Sequence, residues 1–163
     1  VCQLRPESRG EIRLASGNPL DSPSIKANYL SVRSDLDTLV EGVKLARKVF
    51  QTDKFSSFLG DEFEASRDAH NDEDIAEFVR KNAETIYHPV GTCKMGNDDL
   101  AVVDERLRVK GIESLRIVDA SVMPTLIGGN TNAPTIMISE KASDMIIHDN
   151  SSFDDSYRKS GSL

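Results

Sequence analysis

The chain of 163 residues is short of cysteine and of basic residues, and each shortage excludes a class of protein. Its two cysteines, Cys2 and Cys93, cannot form a disulfide framework, and with three histidines they are poor material for a structural zinc site. Twenty basic residues against 27 acidic ones give a formal net charge of −7. The shortage of ligands leads us to expect no metal site. Because the phosphate backbone of a nucleic acid binds to basic surfaces, we also expect no nucleic-acid partner.

The sequence also lacks long hydrophobic runs and a recognisable leader. No segment approaches the ~18 consecutive apolar residues that a membrane-spanning helix needs, so we expect no transmembrane segment. The opening VCQLRPESRG turns polar within five residues, unlike a signal peptide. These absences predict a cytoplasmic location, with peripheral attachment to a membrane as the alternative for a complete protein.

Glycine-rich nucleotide-binding motifs are missing as well. Neither G-x-G-x-x-G nor a P-loop occurs anywhere in the chain, and these are the turns that hold nucleotide phosphates. If the protein uses a nucleotide cofactor, the phosphate-binding part must therefore lie elsewhere. The first residue is Val1 rather than Met, and we expect the chain to be a piece of a longer protein.

The apolar pattern that is present predicts an α+β fold, with an antiparallel sheet and flanking helices. Polar and apolar residues alternate over 11–16, and the segment 24–30 follows a turn-rich loop, which together predict a hairpin. Apolar residues at steps of three and four predict helices over 34–49 and 72–85. The acidic segment 52–71 between these helices shows no clear pattern.

The last third predicts a strand, a loop and a helix. The nearly continuous apolar run 115–118 is typical of a buried parallel strand. Asn132 can cap a final helix over 133–147, with Pro134 inside its first turn. This order is typical of the end of an α/β unit. The polar, serine-rich residues 149–163 predict a flexible tail.

His88 is the strongest candidate for a catalytic residue. It lies in HPVGTCKMG, among small and flexible residues. Histidine is the side chain that titrates near neutral pH without help, so it can take a proton from a hydroxyl group and return it. The alternative is a structural histidine beside a turn.

Asn130 and Asn132 are further candidates, in the segment GGNTNAP. An asparagine amide both donates and accepts hydrogen bonds, so it can orient a substrate hydroxyl. The alternative is helix capping and loop geometry, for which asparagine is a preferred residue. The free N–H groups over 132–135 could also face an anion, although every helix start offers such groups.

Cys93 could act as a nucleophile or as a metal ligand with His88, five residues earlier. No third group lies at a convincing spacing to orient a nucleophile or to complete a metal site. The alternative is an inert, buried cysteine, which is the usual role of a free cysteine.

Three segments in the same order resemble the C-terminal part of the glucose–methanol–choline (GMC) oxidoreductase family: HPVGTCKMG, LRIVDASVMPT and GGNTNAPTIMISEKASDMI. The members are flavoproteins that oxidise alcohols, and the chain is most similar to the choline-dehydrogenase-like branch. The resemblance covers about Arg9 to Ile147.

The resemblance implies two catalytic residues. His88 matches the family's histidine at the reacting centre, and Asn130 matches its second catalytic position. The implied reaction oxidises a choline-like or other primary alcohol. His88 accepts the hydroxyl proton, Asn130 holds the substrate oxygen, and a hydride leaves the carbon for the flavin of FAD.

Four other positions match segments that contact the cofactor. Asp119 and Ala120 match a segment that touches the flavin dinucleotide, and Asn132 and Ala133 match the helix start beside the flavin ring. A helix N-terminus there would stabilise the negative charge of the reduced flavin.

The resemblance also implies a domain organisation. Residues 1–100 match the substrate-binding region, and 101–148 match a segment that returns to the FAD-binding domain. We expect the N-terminal FAD-binding part to be absent from this chain and to be supplied by the same or a separate polypeptide. The isolated chain is then expected to be inactive. Two alternatives are a non-catalytic binding or scaffold module derived from this family and, more distantly, a hydrolase that uses Cys93 and His88.

Overall fold

The computed structural model describes the backbone of residues 1–160 and the side chains of residues 1–149. The described chain forms two compact units, Val1–Ile86 and a second one from Tyr87 onward. Its elements are β1 (Glu11–Arg13), β2 (Ser24–Lys26), α1 (Arg33–Phe50), α2 (Asp53–Ser56), α3 (Glu64–Arg67), α4 (Asp72–Asn82), a 3₁₀ turn (Ala120–Val122) and α5 (Asn132–Ser160). The predicted boundary at residue 100, between the substrate-binding region and the segment that returns to the FAD-binding domain, stays a prediction. The division into compact units does not test where a function begins or ends.

The predicted hairpin at the start of the first unit is confirmed, but it is short. β1 and β2 pair antiparallel with Ile12 opposite Ile25, and each strand has three residues. The described fold is therefore mostly helical with a two-stranded antiparallel sheet, so the α+β prediction is confirmed only in part.

The core of the first unit lies between α1 and α4, the two helices that the apolar periodicity predicts. Leu36 and Val40 of α1 pack with Ile75 and Val79 of α4, and all four side chains are buried. Asn71 caps α4 by accepting a hydrogen bond of 2.9 Å from the backbone N–H of Asp74. Three acidic residues in the first turn of α4 suit the positive end of the helix dipole.

Short helices α2 and α3 occupy the acidic segment for which the sequence gives no pattern. The Arg47 guanidinium fixes this segment from outside. It donates to the carbonyl oxygens of Ala69 and Ser66, at 2.6 Å each, and to the carboxylate of Glu62 at 2.8 Å. The side chain that orders this segment thus comes from α1. A pattern read within 52–71 alone cannot reveal it.

Asp35 is a buried carboxylate that binds the N-terminal segment to α1. Its side chain is 2% exposed and accepts hydrogen bonds from the backbone N–H groups of Glu7 at 2.9 Å and Ser8 at 2.8 Å. The Ser8 hydroxyl donates to it as well, at 2.5 Å. Burial raises the pKa of Asp35, but the hydrogen bonds from Ser8 and Glu7 outweigh burial and leave the pKa below its usual range.

The second unit has little regular structure before α5. Isolated bridges join Met95 to Val103, Val103 to Val109, and Arg108 to Arg116. Its core contains Val103, Leu107, Val122, Met123, Ile138 and Ala142, all of them buried.

The predicted parallel strand over 115–118 is wrong. Arg116 makes a single antiparallel bridge with Arg108, and Leu115 is 46% exposed. A parallel strand exists only beside a parallel neighbour, and the described residues supply no such partner at this position. An apolar run alone therefore does not fix a strand.

The predicted end of the final helix near residue 147 is also wrong. The backbone of α5 is helical to Ser160, within the segment 149–163 that the sequence predicts as a flexible tail. No glycine or proline occurs between Thr135 and Ser160, so the two strongest helix breakers are absent from this segment. Residues 161–163 of that predicted tail lie outside the described residues. None of the helices in the described chain is long and apolar enough to span a bilayer.

Candidate active site

The loop that carries His88 is joined by backbone hydrogen bonds to the 3₁₀ turn Ala120–Val122. The N–H groups of Cys93 and Met95 donate to the carbonyl oxygens of Ser121 and Val122, at 3.0 and 2.8 Å. These bonds bring the predicted catalytic loop beside the segment that begins at Asp119.

Gly91 makes this close approach feasible. Its φ of +89° lies in the left-handed region, where a side chain causes strain, and a Cβ atom there would lie 3.3 Å from the Met123 carbonyl oxygen. The residue before His88 is strained in the same sense, since Tyr87 has a φ of 62°. His88 therefore follows a sharply turned backbone and is itself half-buried.

A side-chain hydrogen bond connects His88 to the start of α5. The Nδ1 atom of His88 lies 2.9 Å from the Oγ1 atom of Thr131. Thr131 stands between the two asparagines of GGNTNAP. The fold thus brings the imidazole to the residue that adjoins both Asn130 and Asn132 in sequence.

The structure corrects the role of Asn132 as the helix cap. α5 begins at Asn132 itself, and the carbonyl oxygen of Thr131 accepts the first helical hydrogen bond, from the N–H of Thr135 at 3.1 Å. Thr131 therefore occupies the N-cap position. Asn130, Asn132 and Ala133 are all exposed, so their surfaces are open to a ligand.

Asp119 and Ala120 form the other candidate segment. The Asp119 carboxylate caps the 3₁₀ turn by accepting from the N–H of Ser121 at 2.7 Å. Asp119 is exposed, whereas Ala120 is half-buried and packs against the core of the second unit. The cap uses one carboxylate oxygen, Oδ1, and gives Asp119 a structural role beside any contact with a cofactor.

Cys93 is half-buried and is held through its backbone N–H rather than through a described contact of its sulfur. In the described part of the chain, no group of three or more histidine, cysteine, aspartate or glutamate residues is placed to hold a metal ion.

Residues 6–139 match the model of the GMC oxidoreductase family, which is more than half of the chain. The chain belongs to the GMC oxidoreductase family. Its place in the family is the C-terminal domain, and the members of this family are FAD flavoproteins.

Curated relatives of this GMC oxidoreductase chain include two dehydrogenases. It is 47% identical over 147 residues to an alcohol dehydrogenase [acceptor] of Pseudomonas putida, covering 90% of this chain and 27% of that protein. It is also 47% identical over 148 residues to the mitochondrial choline dehydrogenase of Homo sapiens, covering 90% of this chain and 25% of that protein. The chain therefore spans about a quarter of the length of these relatives.

Part of the solved structure of each of two oxidases resembles the fold of this chain. A formate oxidase of Aspergillus oryzae matches with a TM-score of 0.83 and 29% identity, over 91% of this chain and 26% of that one. A fungal aryl-alcohol oxidase matches with a TM-score of 0.77 and 34% identity, over 90% of this chain and 24% of that one.

Sequence reasoning missed Thr131. A signal for it was present, because the residue stands between two candidate asparagines and three residues before Pro134. Its contact with His88, however, joins positions 43 residues apart, and no local pattern reports such a pairing.

Proposed function

We propose that the chain is the C-terminal part of an FAD-dependent oxidoreductase that oxidises the CH–OH group of a primary alcohol. The observation that supports this most is the hydrogen bond between His88 and Thr131, at the start of α5. It joins two of the three segments that carry the family resemblance. The choline and alcohol dehydrogenases among the relatives support a choline-like or simple primary alcohol as substrate.

His88 is the proposed general base. Its Nδ1 atom is engaged by Thr131, and among the described residues no hydrogen bond reaches Nε2. The Nε2 lone pair accepts the proton of the substrate hydroxyl while the O–H bond breaks. Bound FAD would supply the hydride acceptor, so that the carbinol carbon loses its hydrogen as the C=O bond of the product forms.

Asn130 is the proposed substrate-orienting residue. Its exposed amide adjoins Thr131 in sequence, and an amide N–H can donate to the substrate oxygen. This bond holds the carbinol carbon in place for transfer and stabilises the negative charge that grows on oxygen as its proton leaves.

The described residues fit one end of the cofactor. Exposed Asn132 and Ala133 lie in the first turn of a long helix, whose free N–H groups and positive dipole favour negative charge on a flavin ring. Ala133 has a small side chain, which allows a flat ring to come close. Asp119 and Ala120 are the proposed contacts to the dinucleotide.

The phosphate end of the cofactor needs another part of the protein. The chain has no G-x-G-x-x-G motif. Two open depressions in the described chain are lined by residues such as Lys26 in the first unit and Arg116 in the second, and no candidate site residue lines either of them. We therefore propose that a longer N-terminal part, in the same or a separate polypeptide, completes the site.

The natural protein that contains this sequence tests the proposal. We expect the complete protein, as one polypeptide or as a complex with a second one, to be several times heavier than the 18.0 kDa of this chain. We also expect it to carry flavin and to lose the flavin's oxidised absorbance when a primary alcohol is added without oxygen. Choline, benzyl alcohol and ethanol serve as substrates, and a tertiary alcohol serves as the control because it has no hydrogen on the carbinol carbon. A natural protein without flavin contradicts the proposal and favours the non-catalytic binding module.

A further inference from the structure

Thr131 has a hydroxyl group that its helix does not use. In the N-cap position, a threonine hydroxyl ordinarily accepts a hydrogen bond from the N–H at the second or third helical residue. The third residue here is Pro134, which has no N–H. No bond from the second residue, Ala133, to this hydroxyl occurs among the described residues. The hydroxyl points to His88 instead, with 2.9 Å between Oγ1 and Nδ1.

The backbone that carries this hydroxyl is fixed by the helix. The carbonyl oxygen of Thr131 accepts two hydrogen bonds from Thr135, one from the backbone N–H at 3.1 Å and one from the hydroxyl at 2.7 Å. Thr131 is half-buried. The two bonds tie the backbone of Thr131 to the first turn of α5, so the side chain that reaches His88 starts from an ordered backbone.

The partner of one imidazole nitrogen decides the state of the other. A neutral imidazole carries one N–H and one lone pair, and a hydrogen bond to one nitrogen selects the tautomer. A hydroxyl oxygen has two lone pairs and accepts readily from an N–H. With the proton on Nδ1, the lone pair stands on Nε2, where a substrate hydroxyl can deliver its proton.

We propose that Thr131 is a positioning residue whose Oγ1 accepts a hydrogen bond from the Nδ1–H of His88 and so keeps Nε2 as the proton acceptor. The catalytic consequence rests on the proposed function, whereas the tautomer does not. Asn130 directly precedes Thr131, and Asn132 directly follows it. The segment that leads into α5 would then both orient the His88 ring and carry the groups around the substrate.

The test compares Thr131→Val with Thr131→Ser. Valine has nearly the shape of threonine but no hydroxyl, and serine keeps the hydroxyl. Ser143→Ala is the matched control, because it removes an α5 hydroxyl whose bond, among the described residues, goes to the Ser139 carbonyl oxygen. Circular dichroism and thermal unfolding check that each variant is folded, and if Thr131→Val is unfolded, Thr131→Ala takes its place.

The first readout is the tautomer of His88, from long-range ¹H–¹⁵N correlation spectra of the labelled chain at a pH where the ring is neutral. We expect the proton on Nδ1 in the wild type, in Thr131→Ser and in Ser143→Ala. In Thr131→Val we expect the ring to shift toward the Nε2–H tautomer. A wild type with its proton on Nε2, or a Thr131→Val ring unchanged from the wild type, overturns the inference.

The second readout is turnover of the flavin-containing protein. Thr131→Val is expected to lower kcat about 10–100-fold, by analogy with the loss of the hydrogen-bond partner that orients a metal-bound histidine, with little change in KM. Thr131→Ser is expected to recover most of that loss. A Thr131→Val variant with wild-type kcat overturns the inference.

The two readouts separate this inference from the proposed function. If the tautomer depends on Thr131 but the flavin protein oxidises no alcohol, the proposed function fails and the positioning role of Thr131 survives. If alcohols are oxidised but neither the tautomer nor kcat responds to Thr131→Val, the positioning role alone fails.

Discussion

The two units of this chain are built by different means. In the first unit, α1 and α4 follow from apolar periodicity, and their packed faces form the core. In the second, the segments before α5 are irregular and are fixed by single bridges and backbone hydrogen bonds between distant residues. Every candidate site residue lies in this second unit. The packed helices form a regular core in the first unit, whereas the candidate site residues lie in or beside the irregular segments of the second unit.

Replacement of the two proposed catalytic residues, both in the second unit, should give the largest effect, a loss of turnover. His88→Ala in the flavin-containing protein is expected to lower turnover about 10²–10⁴-fold, because it removes the proposed general base. Asn130→Ala is expected to cost less, because it removes an orienting contact. Steady-state kcat with a primary alcohol measures both.

His70→Ala is the control for these variants, because His70 is an exposed histidine of the first unit. Its turnover should equal that of the wild type. A larger loss for Asn130→Ala than for His88→Ala would mean that the two roles are reversed.

Substitution in the packed core of the first unit should give the next largest effect, a loss of stability. Leu36 is fully buried between α1 and α4, so Leu36→Ala should lower the free energy of unfolding by about 2–5 kcal/mol. Leu45→Ala, on the same helix but 62% exposed, is the control and should change it little. Urea unfolding followed by circular dichroism measures both. Equal losses for the two variants would contradict the packing described for α1.

The buried carboxylate of Asp35 makes the stability of the first unit depend on pH. Its pKa is lowered in the folded chain, so its stabilisation is present above the unfolded pKa and is lost as pH falls through the folded one. Asp35→Asn places an amide N–H group against the Ser8 and Glu7 donors and should cost about 1–3 kcal/mol at pH 7.

Thermal unfolding between pH 7 and about pH 2–3, below the ordinary Asp pKa, measures this contribution. The difference in Tm between wild type and Asp35→Asn should shrink at the acid end, because the carboxyl binds a proton more readily in the unfolded chain than in the folded one. Asp37→Asn, which removes an exposed ion pair with Arg33, is the control. A difference that stays constant over the whole range would contradict the role given to Asp35.

The ion pairs of the second unit should give the smallest effect. Asp149 binds Arg106 at 2.6 Å and Arg116 at 2.5 Å, and these pairs connect α5 to the irregular segments. Asp149→Asn should lower Tm by less than Asp35→Asn does, and added salt should shrink the difference, since the pairs are partly exposed. A larger loss of Tm for Asp149→Asn than for Asp35→Asn would contradict this order, because the partly exposed ion pairs of the second unit would then contribute more than the buried carboxylate of the first.

The sequence predicts the helices of the first unit well because their apolar stripes are local signals. It fails at 115–118, where an apolar run needs a neighbouring strand, and at the end of α5, where polar residues without glycine or proline continue the helix. His88 and Asn130 are candidates because of their own side-chain chemistry, whereas their catalytic roles and the cofactor contacts come from the family resemblance. Thr131 is missed because its role depends on a partner 43 residues away.

The central claim is that His88 removes a proton from an alcohol as the alcohol reduces a bound flavin. The most direct test follows flavin absorbance after rapid anaerobic mixing of the flavin-containing protein with a primary alcohol, for the wild type and for His88→Ala. We predict a wild-type reduction that deuterium on the carbinol carbon slows, and a variant about 10²–10⁴-fold slower. Flavin reduction in His88→Ala at the wild-type rate would contradict the claim.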